Sequence, residues 1–147
     1  MSLALRARLL ETGSTGSGRY LALAVTLLVG TFAAYVAGVF AVSGGVVFVP
    51  GHATLVALAA ALPVGYRRDG LALAWLLAFG PYLGFRADWA FFGLSGRTLA
   101  EQVAYFVEPG GIGVLAAFAV VFGTVGFLVG AALRWGVGTV RRDSAAT

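Results

Sequence analysis

The stretch YLALAVTLLVGTFAAYVAGVFAV, residues 20–42, contains no charged side chain. At about 1.5 Å per residue, a helix of this length spans about 34 Å, which is enough to cross a hydrocarbon core of about 30 Å. In lipid every backbone polar group must be bonded within its own segment, so an uncharged run this long is expected to be a helix. The stretch therefore predicts an integral membrane protein with its first span here.

Three further apolar runs follow this one, at residues 46–66, 70–85 and 112–133. In the second run a helix is expected to begin near Pro50, because proline is tolerated in a first helical turn. The third run is short and is interrupted by Gly80-Pro81. No run shows the period-two alternation of a membrane barrel. The predicted fold is therefore all-α, a four-transmembrane-helix bundle over residues 20–135.

The composition agrees with lipid as the solvent. Charged residues make up 11% of the chain and hydrophobic residues 60%, whereas soluble domains carry roughly 25% charged residues. The net charge of +4 comes from arginines that lie between apolar runs and build no basic face, which argues against a nucleic-acid partner. Cysteine is absent, and this excludes disulfides, thiolate metal sites and cysteine nucleophiles.

The arginines also predict the orientation. Short cytoplasmic loops are rich in basic residues, and only Arg86 and Arg97 would lie outside if both termini were cytoplasmic. The others would all lie inside, at Arg6, Arg8, Arg19, Arg67, Arg68, Arg134, Arg141 and Arg142. We therefore expect a multi-pass protein of the cell membrane, N-in and C-in. Residues 1–19 would form a cytoplasmic amphipathic segment (1–12) with a Gly/Ser linker (13–18), and residues 136–147 a cytoplasmic tail.

The longest connection between spans, residues 86–111, contains a predicted outer amphipathic helix at about residues 98–108. Thr98 and Glu101 have the spacing of a capping box. Pro109-Gly110-Gly111 is expected to end the helix before the fourth span. The segment could act as a lid or dock a partner, but an amphipathic helix lying in the outer interface is favoured.

The sequence GFRADWAFFG, residues 84–93, places Arg86 and Asp88 among aromatic residues. Counted from Gly70, the two lie about 24 Å and about 27 Å along the third helix, close to the outer boundary of the hydrocarbon core. There the arginine head is expected to reach water. Positions two apart do not face each other on a helix, so no ion pair within the helix is expected. The pair is interpreted first as an interfacial anchor and second as a recognition site.

The candidate outer-face recognition residues are few. They are Arg86, Asp88, Arg97, Glu101 and His52. His52 is the single histidine, and one chain therefore cannot supply the ligands of a zinc site or a bis-histidine haem. Hydrogen bonding near the headgroups is its favoured role. No hydrolase or metalloprotease motif is present, so no catalytic residue, metal or cofactor is predicted.

Two stripes of small residues are expected to pack helices together, because small-xxx-small faces let backbones approach closely in lipid. One lies in the first span, at Ala22, Thr26, Gly30, Ala34 and Gly38, and the other in the fourth, at Gly123, Gly126 and Gly130. Either stripe could form a dimer interface, but packing inside the four-helix bundle is favoured.

Three functions are compatible with these features. The favoured one is a non-catalytic accessory or interaction subunit of a membrane complex, because the first, second and fourth spans carry no ionisable group apart from His52, near the outer end of the second. Its partners would be the bilayer and other membrane subunits or a second copy. One alternative is an oligomeric transporter or channel component with an outer polar site. The other is a membrane enzyme that acts on a lipid-linked substrate at the outer face.

Overall fold

The computed structural model describes residues 16–41, 49–93 and 95–146, and these residues form helices and no strand. The predicted N-terminal surface segment lies outside this part of the chain, as do the first residues of the Gly/Ser linker. The helices are α1 (Ser17–Val36), α2 (Gly51–Arg67), α3 (Leu71–Asp88), α4 (Leu99–Phe106) and α5 (Pro109–Ala145), with a π-helical turn (Trp89–Gly93) directly after α3.

Two helical segments are long and apolar enough to cross a membrane, Gly18–Val36 with a mean hydropathy of 1.6 and Pro109–Arg142 with 2.5. Only 17% and 22% of these segments are buried in the protein. The core helix of a soluble protein would be mostly covered by its neighbours. Here large apolar side chains on both helices remain exposed, among them Leu21, Val29, Val121 and Leu128.

The first helix ends before the predicted boundary at residue 42. Gly38 has φ 71°, a left-handed conformation that glycine adopts without strain. The N–H of Val39 donates to the carbonyl of Ala34, and that of Gly38 to the carbonyl of Tyr35. These two bonds form a Schellman motif, which satisfies the last carbonyls of the helix. Gly38 is therefore the residue that terminates α1, and its predicted role in helix packing is wrong.

The boundaries of α3 and α5 also differ from the sequence expectation, whereas the start of α2 agrees with it. The third helix runs through Pro81 and extends to Asp88, beyond the predicted end at residue 85. The last helix has 37 residues, about 55 Å, because it begins at Pro109 and also includes most of the segment expected as a cytoplasmic tail. The second helix begins directly after Pro50, as its proline predicts.

The third helix is the centre of the molecule. It packs against α1, α2 and α5, while α2 also packs along α5. The buried residues at these contacts are small, and Ala57, Ala61, Ala74 and Ala78 have no exposed surface. Tyr82 is the largest fully buried side chain, and its hydroxyl lies 3.0 Å from that of Thr54 on α2. Small side chains on α3 and its neighbours thus let the helix backbones approach closely, a kind of packing that is frequent between membrane helices.

Candidate functional site

Arg86, near the end of α3, organises the corner of the molecule where α3, α4 and the start of α5 meet. Its Nε donates to the carbonyl of Phe106 at 2.9 Å, and its Nη2 donates to the carbonyl of Tyr105 at 2.5 Å. The same Nη2 lies 3.4 Å from both the carbonyl and the Oε2 atom of Glu108. The guanidinium therefore joins α3 to the short connection between α4 and α5.

This arrangement has a clear electrostatic cause. The last carbonyls of a helix have no partner within the helix, and they carry the negative end of its dipole. Arg86 provides donors for two such carbonyls at the end of α4. Its guanidinium carbon also lies 4.7 Å from the centre of the Tyr105 ring, within the range of a cation–π contact. One arginine thereby neutralises several polar groups that α4 would otherwise leave unpaired.

Glu108 completes the corner by capping the next helix. Its two carboxylate oxygens accept from the N–H groups of Gly110 at 3.0 Å and Gly111 at 2.7 Å, the first turn of α5. The Gly111 N–H is the largest cause that lowers the pKa of Glu108 below its ordinary value; desolvation opposes it, and the Gly110 N–H and the nearby Arg86 charge add to the lowering. Glu108 therefore holds a negative charge between the start of α5 and the guanidinium.

The expectation that the Arg86 head reaches water is wrong, since only 7% of the residue is exposed. The chain turns back after the π-helical turn, and α4 packs against that turn. Carbonyls at the end of α4 thereby replace water around the guanidinium. No ion pair joins Arg86 to Asp88 within the described residues; its carboxylate partner is Glu108. The absence of a pair within the helix is what the two-residue spacing predicts.

The remaining outer candidates do not gather into one site. Glu101 and Thr98 form the expected capping box, in which Oε2 of Glu101 accepts from the Thr98 N–H at 2.8 Å. Arg97 is exposed, and its guanidinium carbon lies 6.0 Å from the Tyr105 ring. Asp88 is half-buried. His52 stacks on Phe40, with 5.0 Å between ring centres, and forms no hydrogen bond with a described residue.

The polar contacts of this corner join helix ends to one another. The Arg86 guanidinium donates to backbone carbonyls and to Glu108, and the Glu108 carboxylate accepts from backbone N–H groups. Among the residues that the structure describes, no group of three or more histidine, aspartate or glutamate side chains could hold a metal ion. What remains for recognition at this end is the exposed guanidinium of Arg97, since the Glu101 carboxylate caps α4.

The small-residue stripe of the last helix lies against α2 and α3. A Cβ atom on Gly123 would stand 3.1 Å from the carbonyl oxygen of Ala74, and one on Gly126 would stand 2.8 Å from that of Leu58. A Cβ on Gly130 would overlap the carbonyl oxygen of Leu62. These three positions are therefore occupied by glycine because the backbones touch there.

The small-residue stripe of α1 faces away from the other helices, whereas the sequence predicts that it packs against them. Ala22, Thr26 and Gly30 are exposed, and Ala34 is half-buried. The face of α1 that packs on α3 is formed by Ala24, Thr31 and Tyr35 instead. Residues two apart differ by about 200° around a helix, so burying Ala24 turns Ala22 outward. The expectation that this stripe packs inside the bundle is wrong.

The sequence contains a signal for the contact that α1 does make. Gly80 and Gly84 on α3 have the GxxxG spacing, although Gly80-Pro81 is expected from the sequence to interrupt the helix. A Cβ on Gly80 would stand 2.5 Å from the Ala24 carbonyl oxygen, and one on Gly84 would stand 2.5 Å from that of Leu28. The role of Glu108 also has a signal, an acidic residue directly before Pro-Gly-Gly at a helix start.

Comparison of this chain with protein-family models, curated proteins and solved structures finds no match.

Proposed function

We propose that this chain is a four-span, N-in/C-in membrane protein that serves as a non-catalytic accessory subunit. The packing of α2 and α3 against the two long apolar helices supports four spans. With 17 residues in α2 and 18 in α3, these two helices lie at the short end of the range for a membrane-crossing helix. The distribution of arginines supports the orientation.

One observation carries the accessory role, the outward stripe of α1. Among the residues that the structure describes, none has an atom within 4 Å of the place where a Cβ on Gly30 would stand, apart from the backbone of its own helix and its chain neighbours. The Thr26 hydroxyl donates to the Ala22 carbonyl of its own helix, so the stripe exposes no unpaired donor. A face of small side chains favours close approach of another membrane helix. The charged residues Arg86 and Glu108, by contrast, already bond to the ends of α4 and α5.

A photo-crosslinking residue at position 30 tests this role in intact membranes. We expect one discrete adduct from position 30 and none from position 121, since Val121 is equally lipid-exposed on α5 but lies on no small-residue stripe. An adduct with a different protein, which also co-purifies in mild detergent, supports the accessory role. A monomer without adducts at either position, or an adduct with a second copy of this chain, contradicts it.

Labelling of single cysteines tests the topology separately, because the chain has no cysteine of its own. A membrane-impermeant reagent is expected to label Ser95→Cys and not Ser14→Cys in intact cells. The reverse pattern would overturn the orientation, and labelling of both positions would overturn the three spans proposed between residues 14 and 95.

A further inference from the structure

A crevice opens between α1 and α2 at the end of the molecule opposite Arg86. Both helices pack on α3 but scarcely contact each other, so α3 forms the floor between them. The crevice has a volume of about 510 Å³. A larger concavity of about 700 Å³ lies along α5, but residues of that helix alone line it, so it has no second wall.

The deeper part of the crevice is apolar. Leu23 and Leu27 of α1 face Ala60 and Pro63 of α2, and Leu77 of α3 lies at the floor. Pro63 has no N–H to donate, so at this position α2 presents only the apolar pyrrolidine ring of the proline to the crevice. Water would gain few hydrogen bonds here, whereas an acyl chain of a membrane lipid matches this apolar surface.

The mouth of the crevice is polar and carries two arginines. Arg19 lies in the first turn of α1 and Arg67 at the end of α2, and both line the crevice. Neither guanidinium forms an ion pair or a hydrogen bond with a described residue. Asp69 and Tyr20 also line the mouth, and the Asp69 carboxylate accepts a short hydrogen bond from the Tyr20 hydroxyl. That bond holds the start of α1 against the turn between α2 and α3, and it fixes the width of the mouth.

We propose that this crevice binds an anionic phospholipid of the cytoplasmic leaflet. The phosphate lies between Arg19 and Arg67, and one acyl chain lies along Leu27 and Pro63. Guanidinium groups bind phosphate oxygens through paired charged hydrogen bonds. Basic pockets between helices on the cytoplasmic side are suited to anionic headgroups. The apolar groove below the arginines selects a lipid over a free phosphate ion, which would use the mouth alone.

The placement of this lipid in the inner leaflet rests on the proposed N-in orientation, but the binding itself does not. Lipid binding is therefore measured on the full-length protein in a neutral detergent, where orientation plays no part. Phosphatidylglycerol, phosphatidylcholine and inorganic phosphate are added separately, and bound lipid is counted by native mass spectrometry. The cysteine-labelling result then decides the leaflet, so the failure of one proposal is distinguishable from the failure of the other.

The decisive variants change either the charge or the groove. Arg19→Gln with Arg67→Gln is expected to weaken phosphatidylglycerol binding on the order of fivefold for each arginine removed. Arg141→Gln with Arg142→Gln removes the same charge from the exposed end of α5 and should leave binding unchanged. Ala60→Phe fills the crevice and should abolish binding. Ala59→Phe, at an exposed position one residue away, should not.

Several results would overturn the proposal. Equal affinity for phosphatidylglycerol and phosphatidylcholine would remove the role of the arginines. Equal loss in the Arg141/Arg142 control would show an effect of net charge alone. Displacement of the lipid by inorganic phosphate at the same concentration would identify a free anion as the ligand. Size-exclusion profiles and helical circular dichroism of each variant establish that it is folded before its binding is compared.

Discussion

Arg86 and Glu108 form an ion pair with one buried and one exposed partner. The two side chains are 8% and 53% exposed, and 3.4 Å separates Nη2 from Oε2. Such a pair stabilises mainly through the buried partner, because the exposed carboxylate is screened by water. The carbonyls of Tyr105 and Phe106 therefore matter more to Arg86 than its carboxylate does. Arg86 therefore stabilises the packing of the end of α4 and the start of α5 against α3.

Replacement of Arg86 by glutamine is expected to loosen this corner. The carbonyls at the end of α4 would lose their donors, and a buried polar group left unpaired costs about 1–3 kcal/mol. Thermal unfolding in detergent measures the loss of stability. Arg97→Gln is the matched control, because Arg97 is exposed and should leave the unfolding temperature nearly unchanged. Equal effects of the two changes would contradict this stabilising role.

Gly111→Ala is expected to disturb the same corner from the side of α5. A Cβ there would overlap the guanidinium of Arg86, which hydrogen bonds hold in place. Overpacking of this kind costs typically about 1–3 kcal/mol. Gly113→Ala, two residues along the same helix, meets open space and should be neutral or slightly stabilising. Unfolding temperatures of the two variants provide the comparison, and a stable Gly111→Ala protein would show that the guanidinium can move aside.

Gly130→Ala tests the close contact between α2 and α5. Its Cβ would overlap the backbone carbonyl of Leu62, which cannot move aside as a flexible side chain can. We expect a loss of about 1–3 kcal/mol in the free energy of unfolding. Gly136→Ala on the same helix has open space and serves as the control. If both variants unfold like the parent protein, the two helices are farther apart in the membrane than here.

Gly84→Ala tests the packing of α1 on α3 in the same way. The added methyl would stand 2.5 Å from the Leu28 carbonyl oxygen and 2.9 Å from Cβ of Thr31. The expected result is increased protease cleavage between α1 and α2, because α1 has no other extensive contact. Gly30→Ala places a methyl on the outward face of α1 and should leave cleavage unchanged in the isolated protein. Faster cleavage of Gly30→Ala alone would reverse the assignment of the two faces.

The capping box predicts how α4 depends on pH. The pKa of Glu101 is lowered from its ordinary value of 4.5, chiefly by the Thr98 N–H and then by the Thr98 side chain. Because the folded pKa is the lower one, this stabilisation is complete above pH 4.5 and is lost as the pH falls through the folded pKa. Hydrogen exchange of residues 99–106 should therefore accelerate in acid. Glu101→Gln should remove that part of the pH dependence, and an unchanged acid response would assign it to Glu108.

The helical class of the chain and the positions of its helices follow from local features of the sequence. The uncharged run after residue 20, the proline at residue 50 and the Thr98–Glu101 spacing each act over a few residues. Each therefore predicts a helix or its start without knowledge of the rest. The Gly123, Gly126 and Gly130 stripe belongs to the same group, because backbone contact at a small residue needs only a neighbouring helix.

Only the tertiary structure decided which face of α1 is covered and what surrounds Arg86. Both faces of α1 carry small residues, so the choice depended on the shape of α3 at Gly80 and Gly84. The environment of Arg86 depended on carbonyls about twenty residues later in the chain, and backbone carbonyls leave no trace in residue identity. Periodicity records which residues share a face, but the partner of that face is set by the packing of other helices.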